Sequence, residues 1–521
     1  MRRRLKCFIL LVMAAVILAG CSNTPAAINP GSESPETSRT EAGAKHLNVA
    51  YHSEIKSLDP GKTSWETTRI GVGERLFKIN DHLELEPWLV QTYRRLDEFT
   101  WEFILRDDVS FSNGKKMTGE SVKACLERTI AMNPRAVTML NIASIEVNEQ
   151  KLTVKTNGIN AALPNNMADV VCTILDTDTL SNETGIPVGT GPFVIQSMTE
   201  GQMELTANQD YWNGTPKLDS ITIKYITDGN AQAMALDNGE VDLIFQLPTE
   251  NVMQFMGNDR FAVTKSSGSR SQIIYFDFEN QFLSDLNVRK AITMAIDRET
   301  FADVINKGNS EAATAIFPVS FSYGNVKGVD YDREGAKKLL ADSGYIDRDG
   351  DGILDKNGVP MSFKIYSYGS HGSLLSTFCE AIQASLKEIG IGIDIQINDY
   401  EPHTNFLKNG GFDLALNSYI MAPVADPQYF ADIMLKSGAD YNYGKYSNPE
   451  VDALIAQLDE EFDAGKRQEL AKEIQKKIVE DCGFLTIGHL KYQIAANKKV
   501  TGYSTQATEY YLLNETTDIN A

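Results

Sequence analysis

The sequence predicts a mixed α/β fold in two lobes. Strand-like and helix-like apolar periods alternate from Leu47 onward, which argues against an all-α or all-β architecture. About 470 residues follow that point, more than one hydrophobic core ordinarily covers, so two compact lobes are expected.

Three stretches justify the alternation. Ile391, Ile393, Ile395 and Ile397 alternate with Gly, Asp and Gln, a period of two that predicts a strand with its four isoleucines on one buried face. The segment before it carries Phe378, Ile382, Leu386 and Ile389 at helical spacing and is closed by Gly390. Upstream, Val288, Ile292, Ala295 and Ile296 form an apolar helical stripe, after which Asp297 caps a second helix bearing Phe301, Val304 and Ile305 and ending at Gly308. Asp332 is the expected cap of a helix with Ala336, Leu339 and Leu340, which stops at Gly344 before the alternating strand Met361, Phe363, Ile365.

The N-terminus fixes the compartment. Arg2, Arg3, Arg4 and Lys6 precede an apolar run, Phe8 to Ala19, which is too short to span a bilayer comfortably and reads as a signal peptide over residues 1–20. Leu18-Ala19-Gly20-Cys21 resembles the bacterial lipobox, which implies a diacylglycerol on the Cys21 thiol and a mature chain starting there. Two acyl chains hold a protein at a membrane where one gives only marginal binding. Residues 21–46, rich in Ser, Thr, Pro, Ala and Glu, have the composition of a flexible tether.

Removing residues 1–20, with four basic and no acidic side chains, takes the net charge from −21 to −25. Such a surface repels anionic lipid and nucleic acid, so membrane residence is assigned to the anchor alone. Cys125, Cys172, Cys379 and Cys482 are widely spaced, without a C-x-x-C pair, and sit among apolar neighbours; buried free thiols are expected rather than a zinc cluster or redox motif.

A set of motifs in order then resembles the peptide/nickel solute-binding family of extracytoplasmic receptors. Leu58-Asp59-Pro60, Glu74-Arg75-Leu76-Phe77 and Leu83 to Leu89 look like its opening, and Trp101-Glu102-Phe103 with Leu105 to Gly114 like its most recognisable stretch. Val188-Gly189-Thr190-Gly191-Pro192-Phe193, Asp210-Tyr211-Trp212, Val288 to Arg298 and Tyr446 to Asp452 extend the likeness over nearly the whole folded chain. The resemblance implies a type II periplasmic-binding-protein fold with an enlarged first lobe, residues 47–266 with a return over 486–521, and a second lobe over 267–485. It places the hinge at two chain crossings, Ser266 to Tyr275 and Ile487 to Gln493. It also implies a monomeric receptor that closes on a small solute and delivers it to a pair of ABC permeases with cytoplasmic ATPases, with no cofactor of its own.

For the solute, the resemblance points toward the nickel-type branch. The position that corresponds to the amine-binding aspartate of peptide receptors is Pro423, which cannot neutralise an ammonium, and Asp426, followed by Pro427, suits a helix cap. Arg135, in Asn133-Pro134-Arg135, falls where nickel receptors bind a carboxylate of the metal's organic chelator, a task suited to a planar guanidinium. Two positions depart from that branch: a second arginine of some nickel receptors corresponds to Asp169, and a nickel-ligating histidine to the neighbourhood of Gly438. An ion wrapped in a chelator, nickel or another transition metal, is therefore favoured over a bare ion, with a peptide as the alternative. Trp65, Thr67, Thr68, Tyr368, Tyr419 and Met421 are the expected cleft walls, and His371, in a polar glycine-rich loop, is the histidine to test as a ligand.

Asp347, Asp349, Asp351 and Asp355 occupy positions 1, 3, 5 and 9 of an EF-hand-like loop with Gly352 at 6, but Gly358 stands where the bidentate glutamate belongs; a weak structural calcium site and a tight acidic turn are both open readings. No convincing set of H-E-x-x-H, G-x-S-x-G or S-x-x-K signatures appears, so an enzyme is not expected. An extracellular sensor built on the same fold is the further alternative.

Overall fold

The computed structural model describes residues 43–62, 65–180, 185–247, 249–369, 373–504 and 507–520. Cys21, the expected signal peptide, most of the tether and His371 lie outside the described residues. Residues 44–521 form one compact unit. Among the described residues no helix is long and apolar enough to cross a membrane.

A mixed sheet runs through the whole unit. Its strands lie side by side in the order Gly392–Asn398, Ser362–Tyr368, Leu414–Ile420, Phe261–Phe276, Phe484–Asn497, Leu243–Phe245, His46–Tyr51, Ser220–Tyr225, Gln202–Ala207 and Phe193–Met198, with Ser310–Ala312 paired beside Phe484–Asn497. The two long central strands carry the chain between the halves and pair antiparallel along most of their length. Near Asn497 the second of them borders the first-half strand Leu243–Phe245, and near Phe276 the first of them borders Leu414–Ile420.

Between these ends the register slips. Ser267 faces Lys491 and Ser271 faces His489, so three residues on one strand oppose one on the other, and a second slip follows at Gln272/Ile273. Extra residues bend and twist a strand locally. Gly268 is required in this bulge, because a Cβ there would lie 2.5 Å from the Leu490 carbonyl oxygen. This irregular stretch overlaps both segments expected as the hinge, Ser266 to Tyr275 and Ile487 to Gln493.

A second, antiparallel sheet of Val90–Arg95, Thr100–Leu105, Lys151–Thr156 and Ile142–Asn148 enlarges the first half. Trp101, Phe103 and Leu105 alternate into its core, and Thr118 caps the following helix, Gly119–Met132, by a reciprocal bond with Ser121. The two halves touch: one apolar cluster includes Phe103, Leu126 and Met139 together with Tyr275, Phe430 and Ile455.

Several local expectations hold. Asp332 Oδ1 accepts from the Gly335 N–H at 2.8 Å, and Gly344 and Gly390 adopt positive φ after their helices. All four cysteines after Cys21 are buried and free. Two details differ. The isoleucine strand Gly392–Asn398 is an edge strand, so Ile391 is buried but Ile393 and Ile395 are half-buried and Ile397 is 40 % exposed. The helix after Asp297 loosens into a π-turn over Phe301–Ile305, where Asn306 N–H bonds the Phe301 carbonyl, and the shifted spacing leaves Val304 exposed.

Candidate functional site

The site begins at a helix start. Asn133 Oδ1 accepts the Arg135 N–H at 3.0 Å and Pro134 occupies the first turn of the helix Pro134–Leu140, which fixes the direction of the Arg135 side chain. Its Nη2 donates to Asp169 Oδ1 at 2.7 Å, and its Nη1 reaches across the cleft to the Tyr429 hydroxyl at 2.6 Å. Burial works against the Arg135 charge, but Asp169 and the surrounding tyrosine hydroxyls outweigh it and raise its pKa. Two polar atoms here are buried without a partner among the described residues, Arg135 Nε and Asp169 Oδ2. One is a donor and the other an acceptor, and they stand on one ion pair.

Further contacts cross between the same faces. The Asn165 amide donates to the Val424 carbonyl at 3.0 Å, and Ala161 N–H to the Asp459 carbonyl at 3.1 Å. Asp169 is thus not a lost second arginine alone; it is the partner that holds Arg135 in place.

Aromatic side chains form the walls. Tyr419 lies 6.4 Å from Tyr275 and 6.5 Å from Tyr441 between ring centroids, and its hydroxyl accepts from Asn417 Nδ2 at 3.1 Å. Tyr368 packs on Tyr400 at 5.0 Å and on His403 at 5.4 Å. On the first-half side, Trp65 faces Tyr510 at 6.4 Å. Met421 is fully buried, its N–H donating to the Ser269 carbonyl in the bulge. The tyrosines Tyr429, Tyr441 and Tyr510 were not singled out in the sequence; the signal for Tyr510 is the short apolar run Tyr510-Tyr511-Leu512-Leu513 between polar stretches of the tail.

The crossing strands carry a buried ion network. Glu509 accepts from Arg270 Nε and Nη2, both at 3.0 Å, from Arg69 Nη2 at 3.3 Å and from Gln246 Nε2 at 3.0 Å. Arg69 Nε also bonds the Glu509 carbonyl at 2.9 Å. Burial opposes the Glu509 charge, yet the two arginines keep its carboxyl below the usual range. Arg270 sits in the bulge, so the C-terminal return is tied to the crossing beside Tyr510.

Thr67 and Thr68, expected as cleft walls, have their hydroxyls engaged within the first half. Thr67 Oγ1 donates to the Leu58 carbonyl at 2.6 Å, and Thr68 Oγ1 shares a 2.9 Å bond with Thr173. Asp426 does cap its helix, accepting the Gln428 N–H at 2.9 Å, and is paired with Arg467 at 2.6 Å. It is not free to hold an ammonium. In the acidic loop the ligand atoms of Asp347, Asp349 and Asp351 lie within 4.8 Å of one another, but Asp355 turns away to Arg348 at 3.6 Å and to Gly358 N–H at 3.1 Å. The four-oxygen set read from the sequence is therefore not assembled.

The family-like motifs of the first half meet elsewhere, at Glu74. Its carboxylate accepts from Trp88 Nε1 at 2.7 Å, the Tyr211 hydroxyl at 2.6 Å, the Thr190 hydroxyl at 2.8 Å and Trp212 Nε1 at 2.9 Å. Burial raises the Glu74 carboxyl pKa and these four donors hold it back. Gly189 and Gly191 flank Thr190 because a Cβ at either would meet Val72 O at 2.1 Å or Gly71 O at 2.4 Å. These motifs thus converge on one buried carboxylate of the first half.

Comparison with known proteins follows the same line. The family model described as bacterial extracellular solute-binding proteins, family 5 middle, matches residues 84–442. The nickel-binding protein NikA of Staphylococcus aureus is 31 % identical over 510 residues, covering 97 % of each chain. The oligopeptide-binding protein AppA of Bacillus subtilis is 25 % identical over 518 residues, covering 95 % of this chain and 94 % of its own. The crystal structure of S. aureus NikA in complex with Ni(L-His)2 superposes with a TM-score of 0.80 at 32 % identity, covering 92 % of this chain and all of that one.

Proposed function

Since the chain belongs to family 5 of the bacterial extracellular solute-binding proteins, we propose that its cargo is a transition-metal ion, nickel foremost, held as an organic chelate and captured by closure of the two lobes. The fold is the two-lobed type II binding-protein architecture with its hinge of two crossings, and family members serve ABC importers. The cargo passes to a permease pair driven by cytoplasmic ATPases, and the receptor, a monomer, stays at the membrane through a lipid on Cys21.

One observation carries the choice of cargo: the pairing of Arg135 with Asp169, which leaves a donor, Nε, and an acceptor, Oδ2, buried and unpartnered. A chelating amino acid satisfies both, its carboxylate taking the guanidinium and its N–H groups taking the aspartate oxygen. A bare ion finds less. Among the described residues the one cluster of three or more metal-ligating side chains is the exposed acidic loop. The relative crystallised with Ni(L-His)2 supports the same reading. A peptide is disfavoured because Asp426 is committed to Arg467 and Pro423 has no charge.

Native mass spectrometry of the protein extracted from its own membranes tests this. The expected spectrum shows one retained mass with a nickel isotope pattern and a diacylglycerol on Cys21. A ladder of peptide masses would refute the chelate, and an unmodified Cys21 the anchor.

A further inference from the structure

Phe462 is an aromatic side chain set among acids, in Asp459-Glu460-Glu461-Phe462-Asp463, at the turn between the helices Pro449–Glu460 and Ala464–Glu480. The buried stripe of the first helix, Val451, Ile455 and Leu458, ends before it, and Phe462 itself is half-buried. Its ring packs on the other half of the molecule. It lies 6.2 Å from the Trp101 ring, and the Arg95 guanidinium stands over it at 3.5 Å from the centroid. Arg95 and Trp101 are cross-strand partners in the antiparallel sheet that enlarges the first half. Three residues before Phe462, the Asp459 carbonyl takes the Ala161 N–H at 3.1 Å across the same seam.

The turn that presents Phe462 is held stiff by a buried guanidinium. Arg467 is 7 % exposed, and its Nη1 donates to the Leu458 carbonyl at 2.6 Å and to the Glu461 carbonyl at 2.8 Å. Its Nη2 donates to Asp426 Oδ1 at 2.6 Å. Asp426 in turn caps the short helix Pro427–Phe430, whose Tyr429 meets Arg135 across the cleft. One side chain thus ties the turn that carries Phe462 to the helix that carries Tyr429, so both contacts with the first half are made and broken by one rigid piece.

We propose that Phe462 is a clasp of the closed receptor, a positioning residue that docks on Arg95 and Trp101 at the seam beside the cargo cleft and sets the rate at which captured cargo escapes. This goes beyond the choice of cargo and does not depend on it. A ring beneath a guanidinium and beside an indole stabilises only the state in which the halves meet. Interactions confined to that state shift the population towards it and slow exit, while entry into the open form is untouched.

The test compares the full chain with Phe462→Ala and Phe462→Tyr, with nickel(II) and L-histidine as the probe and stopped-flow fluorescence to separate entry from exit. Phe462→Ala should raise the dissociation rate about tenfold and leave the association rate unchanged. Phe462→Tyr keeps the ring and should restore the parent rate. Arg95→Ala should raise the dissociation rate in the parent protein and add nothing to Phe462→Ala. The ligand-free melting temperature should be the same in all of them, because the open form makes none of these contacts. An unchanged dissociation rate, a loss that Phe462→Tyr does not reverse, additive effects of the two alanines, or a lowered ligand-free melting temperature overturns the clasp while leaving the chelate reading intact. Should the parent protein not take up the nickel complex, the chelate reading fails, and the clasp is judged on the mass that the membrane-extracted protein retains. Native mass spectrometry after dilution must then show Phe462→Ala losing that mass faster than the parent; equal loss overturns the clasp.

Discussion

Glu74 offers a sharp test of what the recurrent motifs are for. Replacing it by Ala removes the acceptor of four donors held at 2.6–2.9 Å. The Tyr211 and Thr190 hydroxyls are buried, so they are left without water, whereas the Trp88 and Trp212 indoles are half-buried and recover some solvent. A buried donor stranded in this way costs about 1–3 kcal/mol, so Glu74→Ala should lose roughly 3–5 kcal/mol once the relieved burial of the carboxylate is credited. Glu74→Gln keeps one acceptor oxygen but sets an NH2 group against one pair of donors, and should lose about 1–3 kcal/mol. Urea unfolding followed by tryptophan emission suits the measurement, because two of the four tryptophans bond this carboxylate. Cargo affinity per folded molecule should be unchanged. Equal stability of all three proteins would refute the reasoning, and so would lost affinity at unchanged stability, which would make Glu74 a cargo ligand.

The remaining predictions concern the cleft and the crossing. Arg135→Met should weaken binding of nickel(II) with L-histidine by about 10- to 100-fold, the loss of one charge-assisted interaction of ~1.5–3 kcal/mol, read by calorimetry; an unchanged affinity would remove Arg135 from the site. His489, bonded to Ser271 at 2.6 Å between the crossing strands, has its pKa lowered by burial to about 3. The unfolded chain binds this proton near pH 6.5 and the native state does not, so stability is lost as pH falls from 6.5 towards 3, by up to about 1.4 kcal/mol per pH unit. His489→Gln should flatten the melting-temperature profile over that window, and an unaltered slope would show that other groups set it.

How much of this was legible depends on whether a feature is local. Helix caps such as Asp332 and Asp426 and the mixed α/β alternation follow from residues within a few positions, and they stand in the structure as read. The isoleucine strand was misplaced because alternation reports which residues share a face but not whether anything covers it, and an edge strand is covered less. Thr67 and Thr68 were read as cleft walls, but nothing near them in sequence discloses that Leu58 and Thr173 take their hydroxyls.

The chemistry of the cleft comes from pairs far apart in the chain. Arg135 meets Tyr429 across 294 positions, and Arg270 meets Glu509 across 239. Asp169 makes the point most clearly. Compared with a receptor that has arginine there, it read as a loss of cationic charge. Beside Arg135 it orients the guanidinium and leaves one oxygen open, so the same substitution converts a double-cation site into one that asks for a donor as well as an acceptor. That change favours a zwitterionic chelator over a purely anionic one.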